Sequence, residues 1–240
     1  VSRKDKAFIA AVGLSLLVVS DILPHDNPPK VISSEDYLRS KLKGPVINIQ
    51  LDYRYMKTGY YVSTHAETNG NRVIPTCTDI IDAYNNAIFL MRSEKRGIPT
   101  PAHVATNSVE EITDKLGFPS ILFPLNPVSY DTYRIARSGD ELIKAVKNLG
   151  MNRGYPVSAQ ALLGPVETVK SVFGSVQLKE ANSAAEKCYK EFMIPLCKLY
   201  IQRTAEKCYL SSMAPLRPSD LEPKDLQAIS EKTTSMRNIP

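Results

Sequence analysis

The sequence predicts an α/β protein, with a small parallel α/β N-terminal domain, a mixed α+β region and a helical C-terminal segment. Three observations predict this class. Strand and helix patterns alternate from about residue 14 to residue 75, which is typical of a parallel sheet with crossover helices. Helix and strand patterns continue to about residue 180, and the pattern from Ala181 onward is helical, with a break at Pro195. We therefore predict three units, over residues 14–78, 79–180 and 181–240.

The first unit begins with an apolar run whose second half, Leu14–Asp21, predicts a buried parallel strand. Ala7–Val19 also follows three basic residues, as in a secretory signal, so a secreted or membrane-anchored protein is an alternative. The run is too short to span a bilayer as a helix. We favour the strand because the residues that follow it continue an α/β pattern.

The rest of the first unit alternates between helices and strands. Ser33 or Ser34 can cap a helix that carries acidic residues in its first turn. Pro45–Ile49 predicts a second buried strand, Gly59–Asn69 a helix and Arg72–Thr76 a third strand. The residues predicted to face inward from that helix are Tyr60, Val62 and Ala66, with Tyr61 left open.

The second unit opens with a helix predicted over Asp79–Arg96, with apolar residues at helical spacing. Ser108 can cap a helix that runs to Leu116, and the next short buried strand is predicted within 120–123. The later predicted elements are a strand at 133–138, a helix at 138–150, a strand at 157–164 and a hairpin over 167–178 that closes at Gly174.

Composition excludes several classes of function. The net charge of +5 is spread along the chain, which predicts a solvated basic surface rather than a nucleic-acid site. The cysteine spacing does not match a zinc site and predicts free thiols in an intracellular reducing compartment, either the cytoplasm or an organelle matrix. His25, His65 and His103 form no catalytic triad pattern. The pentapeptide AEKCY occurs at 185–189 and at 205–209, without a functional explanation.

Two motifs connect the sequence to a known family. One reads Y-R-Y-x-x-x-G-Y-Y-V-S at residues 53–63, followed by A-E-x-x-G-x-R-V-I-P at residues 66–75. The other reads G-I-P-T-P at residues 97–101 and is followed by L-G-F-P-S-I-L-F-P-L at residues 116–125. Together they resemble the RimK-like ATP-grasp family, namely its N-terminal domain followed by an incomplete ATP-grasp-like α+β region.

The resemblance implies a ligase that makes an acyl phosphate from a carboxylate and ATP. That chemistry needs cations on the phosphates, a Gly-rich loop over them and ligands for magnesium. Here Asn85 and Asn86 stand near the place of the first lysine, and Phe123 stands at the place of the second. Residues 126–132 contain no glycine, and the late E-x-N-x-x-P motif is missing. A phenyl ring cannot replace a phosphate-binding ammonium group.

We therefore predict a degenerate ATP-grasp-like protein, a pseudoenzyme that acts as a structural or interaction subunit of a larger protein assembly. This prediction includes no catalytic residue, no metal site and no cofactor, and its expected partners are other protein subunits. The alternative is an active ATP-dependent carboxylate–amine ligase that uses ATP and magnesium. In that case the nucleotide would be bound by Gln160 and by the basic residues Arg134 and Lys170. Gln160 lies on a segment that resembles the adenine-contacting hinge strand of the family.

A separate candidate site lies in the aromatic motif. Tyr53, Arg54 and Tyr55 could line a groove for a ligand or a partner, while burial between a helix and a sheet is the simpler role for the tyrosines. Of the three residues, Arg54 is the one whose presence core packing explains least. We also predict that Phe123 is buried in the space where the family binds the triphosphate. A pocket filled by Phe123 and Tyr130 would exclude nucleotide binding there.

Overall fold

The computed structural model describes residues 16–24, 31–125 and 133–237 of the 240-residue chain. Its first sheet is parallel and has the strand order β2-β1-β3-β4. The strands are β1 (Leu17–Ser20), β2 (Val31–Ile32), β3 (Val46–Ile49) and β4 (Val73–Ile74). The helices between them are α1 (Ser34–Leu38) and α2 (Thr58–Thr68). The predicted α/β class with a parallel N-terminal sheet is confirmed.

Local chemistry explains these elements. Ser33 caps α1 by accepting a hydrogen bond from the Asp36 backbone N–H at 3.1 Å. Val18 and Val19 are fully buried, which confirms the strand prediction for Leu17–Ser20. Residues 7–15 of the N-terminal apolar run lie outside the described residues. Gly59 is required in α2, because a Cβ there would lie 2.7 Å from the Asp52 carbonyl oxygen.

The helix predicted over Asp79–Arg96 is in fact two helices, α3 (Cys77–Tyr84) and α4 (Asn86–Lys95). Asn85 separates them with an extended backbone, at φ −90° and ψ 103°. Its N–H ends α3 by bonding the Ile81 carbonyl at 3.0 Å, and its side chain caps α4 by accepting from the Ile88 N–H at 3.3 Å. Continuous apolar periodicity concealed this break, although asparagine favours helix caps.

The second sheet is antiparallel, in the order β5-β8-β6-β7. It confirms the strands predicted at 120–123, 133–138 and 157–164, whereas no strand was predicted at 103–106. Its strands are β5 (His103–Thr106), β6 (Ser120–Pro124), β7 (Arg134–Ala136) and β8 (Val157–Ala161). Helices α5 (Val109–Leu116) and α6 (Gly139–Leu149) cover one face and bury Leu122 and Leu142 in a shared core. The opposite face carries Ile121, Phe123, Ser158 and Gln160, because residues paired across antiparallel strands point the same way.

The third sheet corrects the prediction of a wholly helical C-terminal segment. Helices α7 (Lys179–Phe192) and α8 (Pro223–Arg237) are present. Between them, β10 (Leu196–Arg203) and β11 (Cys208–Ala214) form an antiparallel hairpin. Strand β9 (Val166–Val172) completes the order β11-β10-β9, and a short 3₁₀ turn spans Pro218–Asp220. The predicted hairpin at 167–178 is wrong in its strand pairing, because β9 pairs with β10. The predicted reversal at Gly174 is present, as a tight turn bridged by Val172 and Ser175.

The same pentapeptide adopts two structures. In Ala185–Tyr189 the AEKCY sequence is part of α7, where Ala185 and Cys188 are buried. In Ala205–Tyr209 it forms the turn between β10 and β11 and the start of β11. Tertiary packing decides the conformation of such a short segment, so the repeat is not a structural repeat.

Two faces of the third sheet have different surroundings. One face, with Cys197, Leu199 and Ile201, packs on α3, α4 and α7. The other face, with Lys198, Tyr200 and Gln202, is directed toward the second sheet. A further core joins the parallel sheet to the C-terminal end, since Val18 and Ile47 share a cluster with Ile229 and Met236.

The described residues bear on two expectations, the state of the cysteines and the presence of a membrane-spanning helix. Cys77, Cys188, Cys197 and Cys208 are free thiols. Among the residues that the structure describes, every helix falls short of the length and apolarity that crossing a membrane requires. The three-unit division of the chain stays a prediction.

Candidate functional site

A cleft of about 670 Å³ lies between the parallel domain and the two antiparallel sheets. Five segments that are far apart in the sequence line it: 52–55 after β3, 80–86 at the junction of α3 and α4, 123–125 at the end of β6, 198–200 in β10, and 212–217 at the end of β11. Polar side chains lie among mainly apolar walls, which is the composition of a small-molecule site. The cleft is therefore the candidate site.

Aromatic rings fill one side of the cleft. Phe123 is 3% exposed, and its ring centroid lies 5.7 Å from that of Tyr133 and 6.2 Å from that of Tyr200. Tyr133 and Tyr200 are 5.7 Å apart in an edge-to-face arrangement. The predicted burial of Phe123 is confirmed. Tyr130, which was considered with Phe123 as a side chain that could fill this pocket, lies outside the described residues. Tyr133 and Tyr200 are the aromatic neighbours of Phe123 that the structure describes.

A buried amide network lies beside the aromatic rings. Gln160 donates hydrogen bonds from Nε2 to Asn86 Oδ1 at 3.0 Å and to the Ser211 carbonyl at 2.9 Å. Asn86 also donates from Nδ2 to the Ser211 carbonyl at 2.8 Å. Gln160 is fully buried and does not line the cleft, whereas Asn86 does. A hydrogen bond thus connects Gln160 to Asn86, although the two residues lie 74 positions apart in the sequence.

Two ion pairs set the charge of the cleft. Arg54 contacts Asp52 with both Nε and Nη2, at 3.0 Å and 2.7 Å from the carboxylate oxygens. Lys198 Nζ lies 2.6 Å from Asp220 Oδ2. Burial opposes ionisation of Asp220, yet the hydrogen bond from Lys198 and one from the Arg217 N–H hold the pKa of this carboxyl below its usual value. The carboxylates of Asp52 and Asp220 are therefore each paired with a cationic side chain.

Lys170 lies opposite Lys198 across the paired strands β9 and β10. Like charges in this position repel each other. The C-terminal segment neutralises them: Lys170 forms an ion pair with Asp225, donates to the Asp220 carbonyl at 2.9 Å and lies 3.4 Å from Glu222. The side chains of Lys170 and Asp225 are 15% and 9% exposed. Lys170, a predicted phosphate ligand, is thus engaged by carboxylates.

The other predicted site residues are distributed unevenly. Arg134 is exposed on β7 and pairs in register with Leu122, so it lies on the helix-covered face of the second sheet, opposite Phe123. Arg54 and the half-exposed Tyr55 line the cleft. Tyr53 is fully buried: its hydroxyl donates to the Asn48 carbonyl at 2.9 Å and accepts from the Gln50 N–H at 2.8 Å. Burial raises the pKa of Tyr53 well above its usual value.

Sequence reasoning missed several residues of the cleft. Lys198 and Tyr200 belong to a strand with period-two alternation, which was a usable signal, since Cys197, Leu199 and Ile201 alternate with polar neighbours. Tyr84 has a buried hydroxyl with no hydrogen-bond partner among the described residues, and burial raises its pKa. Arg217 is exposed at the mouth of the cleft.

No group of histidine, cysteine, aspartate and glutamate side chains within the described ranges is arranged to hold a metal ion. Magnesium in phosphoryl-transfer sites needs carboxylate or amide oxygens beside the phosphates. The carboxylates at this cleft, Asp52 and Asp220, contact Arg54 and Lys198 instead. Among the described residues, the carboxylates beside the cleft are thus engaged by cations and are not arranged to hold magnesium.

Comparisons with known proteins agree on the fold. The model of the RimK-like ATPgrasp N-terminal domain family matches residues 34–232. The crystal structure of a RimK domain ATP-grasp protein from Sphaerobacter thermophilus DSM 20745 superposes with a TM-score of 0.62 at 11% identity, covering 94% of this chain and 97% of that one. D-alanine–D-alanine ligase from Bacillus anthracis gives a TM-score of 0.61 at 14% identity, covering 93% and 95%.

Sequence similarity also extends to part of a much larger protein. The carbamoyl phosphate synthase large chain of Saccharolobus islandicus (strain L.S.2.15 / Lassen #1) is 30% identical over 148 residues. The match covers 54% of this chain and 14% of that protein. The chain thus spans about one seventh of the length of the curated relatives that it matches.

Proposed function

The chain belongs to the RimK-like ATPgrasp N-terminal domain family, and from that premise we propose that it is a non-catalytic module serving as a structural or interaction subunit of a larger assembly. The observation that supports this most is the aromatic cluster at Phe123. Where the family resemblance leads one to expect a phosphate-binding lysine, a nearly buried phenyl ring contacts Tyr133 and Tyr200.

Charge placement supports the same proposal. Phosphoryl transfer depends on cations and a metal that neutralise the phosphates. On the cleft side of the third sheet, Lys170 and Lys198 are instead neutralised by the carboxylates of Asp225 and Asp220. A triphosphate would have to displace these internal ion pairs, which would leave Asp225 buried without its cation.

The partner that we infer is another protein subunit that carries a RimK-like ATP-grasp unit, because the name of the family places this domain at the N-terminal side of such a unit. The exposed aromatic and thioether side chains beside the cleft suit an interface. Tyr55, Met56 and Tyr61 are 48%, 57% and 46% exposed, and tyrosine and methionine are enriched at interfaces.

The first test is isothermal titration of the protein with ATP in the presence and absence of magnesium. We expect no binding at micromolar concentrations and no ADP release with carboxylate and amine substrates. Micromolar binding that depends on magnesium would favour the alternative function, an active ATP-dependent carboxylate–amine ligase.

The second test is size-exclusion chromatography with a RimK-like catalytic unit. A double variant, Tyr55→Ser with Tyr61→Ser, should reduce co-elution, whereas Met91→Ser, exposed on another helix, should not.

A further inference from the structure

We propose that the loop 39–43 and the neighbouring Arg72 form a docking surface for an acidic segment of a partner protein. We call these residues the basic loop surface. The inference goes beyond the proposed function, which uses side chains beside the cleft and assigns no charge to the partner. The loop precedes β3 and the cleft-lining segment 52–55 follows β3, so the basic loop surface and the cleft lie at opposite ends of that strand.

The charge of the basic loop surface determines the charge of its partner. Three exposed cations without an ion pair among the described residues belong to it: Lys41, Lys43 and Arg72. The carboxylates near them in the sequence are engaged elsewhere. Glu35 pairs with Arg39 at 2.7 Å. Glu67 accepts a hydrogen bond from the Cys77 N–H at 2.9 Å. Acidic side chains of a partner would therefore meet cations that have no internal counter-charge.

A buried asparagine brings the loop and Arg72 together. Asn71 is 8% exposed, and its Nδ2 donates to the Leu42 carbonyl oxygen at 2.8 Å. Its Oδ1 accepts a hydrogen bond from the Gly44 N–H at 3.2 Å. Arg72 follows Asn71 directly in the sequence, so its backbone is held beside the loop. The cations of two segments thus form one surface.

The loop is also attached to helix α2. His65 Nε2 lies 3.0 Å from the Ser40 carbonyl oxygen. Lys43 Nζ donates a hydrogen bond to the Asn69 carbonyl oxygen, just after the end of α2. These contacts order the loop before a partner binds, which reduces the conformational entropy lost on association.

An exposed leucine favours a protein as the partner. Leu42 is 43% exposed and lies between Lys41 and Lys43 in the sequence. A protein segment can place an apolar side chain between carboxylates, whereas the phosphodiester backbone of a nucleic acid has no apolar counterpart. Recognition of an anionic membrane typically takes a larger cluster of basic residues than these three. The observations therefore favour an acidic protein segment that also carries an apolar side chain.

The probe is a short synthetic peptide in which aspartates flank a central leucine, and its control peptide has asparagines in place of the aspartates. We expect the acidic peptide to bind, and to bind more weakly as the salt concentration rises, because exposed ion pairs are screened. The asparagine peptide should bind roughly tenfold more weakly, since several exposed ion pairs are lost together. Fluorescence anisotropy of the labelled peptides measures both affinities.

A triple variant with Lys41→Gln, Lys43→Gln and Arg72→Gln removes the charge of the basic loop surface. It should weaken binding of the acidic peptide by roughly tenfold. The matched control carries glutamine at three exposed cations of the same residue types, located in the second half of α6 and just after it: Lys144, Lys147 and Arg153. The control should bind the acidic peptide as the parent does. All these side chains are exposed, so the melting temperatures should match that of the parent.

Equal binding of the two peptides, or an equal loss of affinity in the two triple variants, would overturn the inference, because either result would show attraction by overall charge alone. Absence of binding by the acidic peptide would also overturn it. So would tighter binding to phosphatidylserine vesicles or to single-stranded RNA, which would assign the surface to a membrane or to a nucleic acid. The proposed function is tested separately by Mg-ATP at the cleft, where the first triple variant should give the same titration as the parent.

Discussion

Replacement of Phe123 by lysine tests the central reasoning, because it restores the residue type that the family resemblance leads one to expect. The change removes a ring that is 3% exposed and breaks its contacts with Tyr133 and Tyr200. Burial of such a side chain contributes about 1.5–3 kcal/mol, and each aromatic contact adds about 0.5–1.5 kcal/mol. The new ammonium group would also lie in the cleft that Lys198 lines.

We expect Phe123→Lys to lower the free energy of unfolding by about 4 kcal/mol. The loss of the ring accounts for most of this value, and a buried ammonium without a counter-charge adds to it. For a domain of this size the melting temperature should fall by about 8–16 °C. Urea denaturation followed by circular dichroism measures the free energy, and a phosphate-release assay with Mg-ATP should show no turnover.

Two controls separate charge from volume. Phe123→Leu removes the ring without adding charge and should cost about half as much. Phe118→Lys makes the same chemical change at a side chain that is 41% exposed, five residues earlier in the chain, and should cost less than about 1 kcal/mol. A Phe123→Lys protein that is as stable as the parent and hydrolyses ATP would refute the argument that the aromatic cluster has replaced the phosphate site.

Other predictions concern the surroundings of the cleft. Lys170→Met should destabilise the fold by about 1–3 kcal/mol. Burial opposes ionisation of Asp225, but the ion pair with Lys170 holds the pKa of the Asp225 carboxyl below its usual value. This ion pair therefore stabilises the fold above about pH 4, and the stabilisation is lost as the pH falls through the pKa of Asp225 in the folded protein. Urea titrations at several pH values should show a smaller acid loss in the variant, and an identical pH dependence would disprove the assignment. Tyr53→Phe removes both hydrogen bonds of a buried hydroxyl and should cost about 1–3 kcal/mol, while Tyr55→Phe, at a half-exposed ring, should be neutral. Gly59→Ala should destabilise by about 1–3 kcal/mol because its Cβ meets backbone, and a melting temperature equal to that of the parent would contradict this.

The elements that were predicted correctly are those whose burial or capping depends only on residues within one short segment. The apolar residues of Val46–Ile49 and the Ser108 cap of α5 are such cases, since burial or capping follows from neighbouring residues. The break at Asn85 was missed because apolar periodicity continues across it. The strand Leu196–Arg203 was missed because helical patterns flank it, although its alternating residues are consistent with a strand.

The cleft was harder to predict for a different reason. Its lining residues come from five distant segments, and Lys198 becomes a cleft residue through pairing with β9 and β11. Charge compensation is equally non-local, as Lys170 is neutralised by Asp225, 55 residues later. A sequence pattern identifies a lysine, and the fold decides which carboxylate it contacts.

The core shared by the parallel sheet and the C-terminal helix has a consequence for the order of events during synthesis. Val18 and Ile47 are translated well before Ile229 and Met236, which share their cluster. On a ribosome that adds about 5–20 residues per second, the apolar face of this sheet waits about ten seconds or longer for its cover. Nascent chains of this protein are therefore expected to be substrates for chaperones that bind exposed β-strands, until α8 emerges.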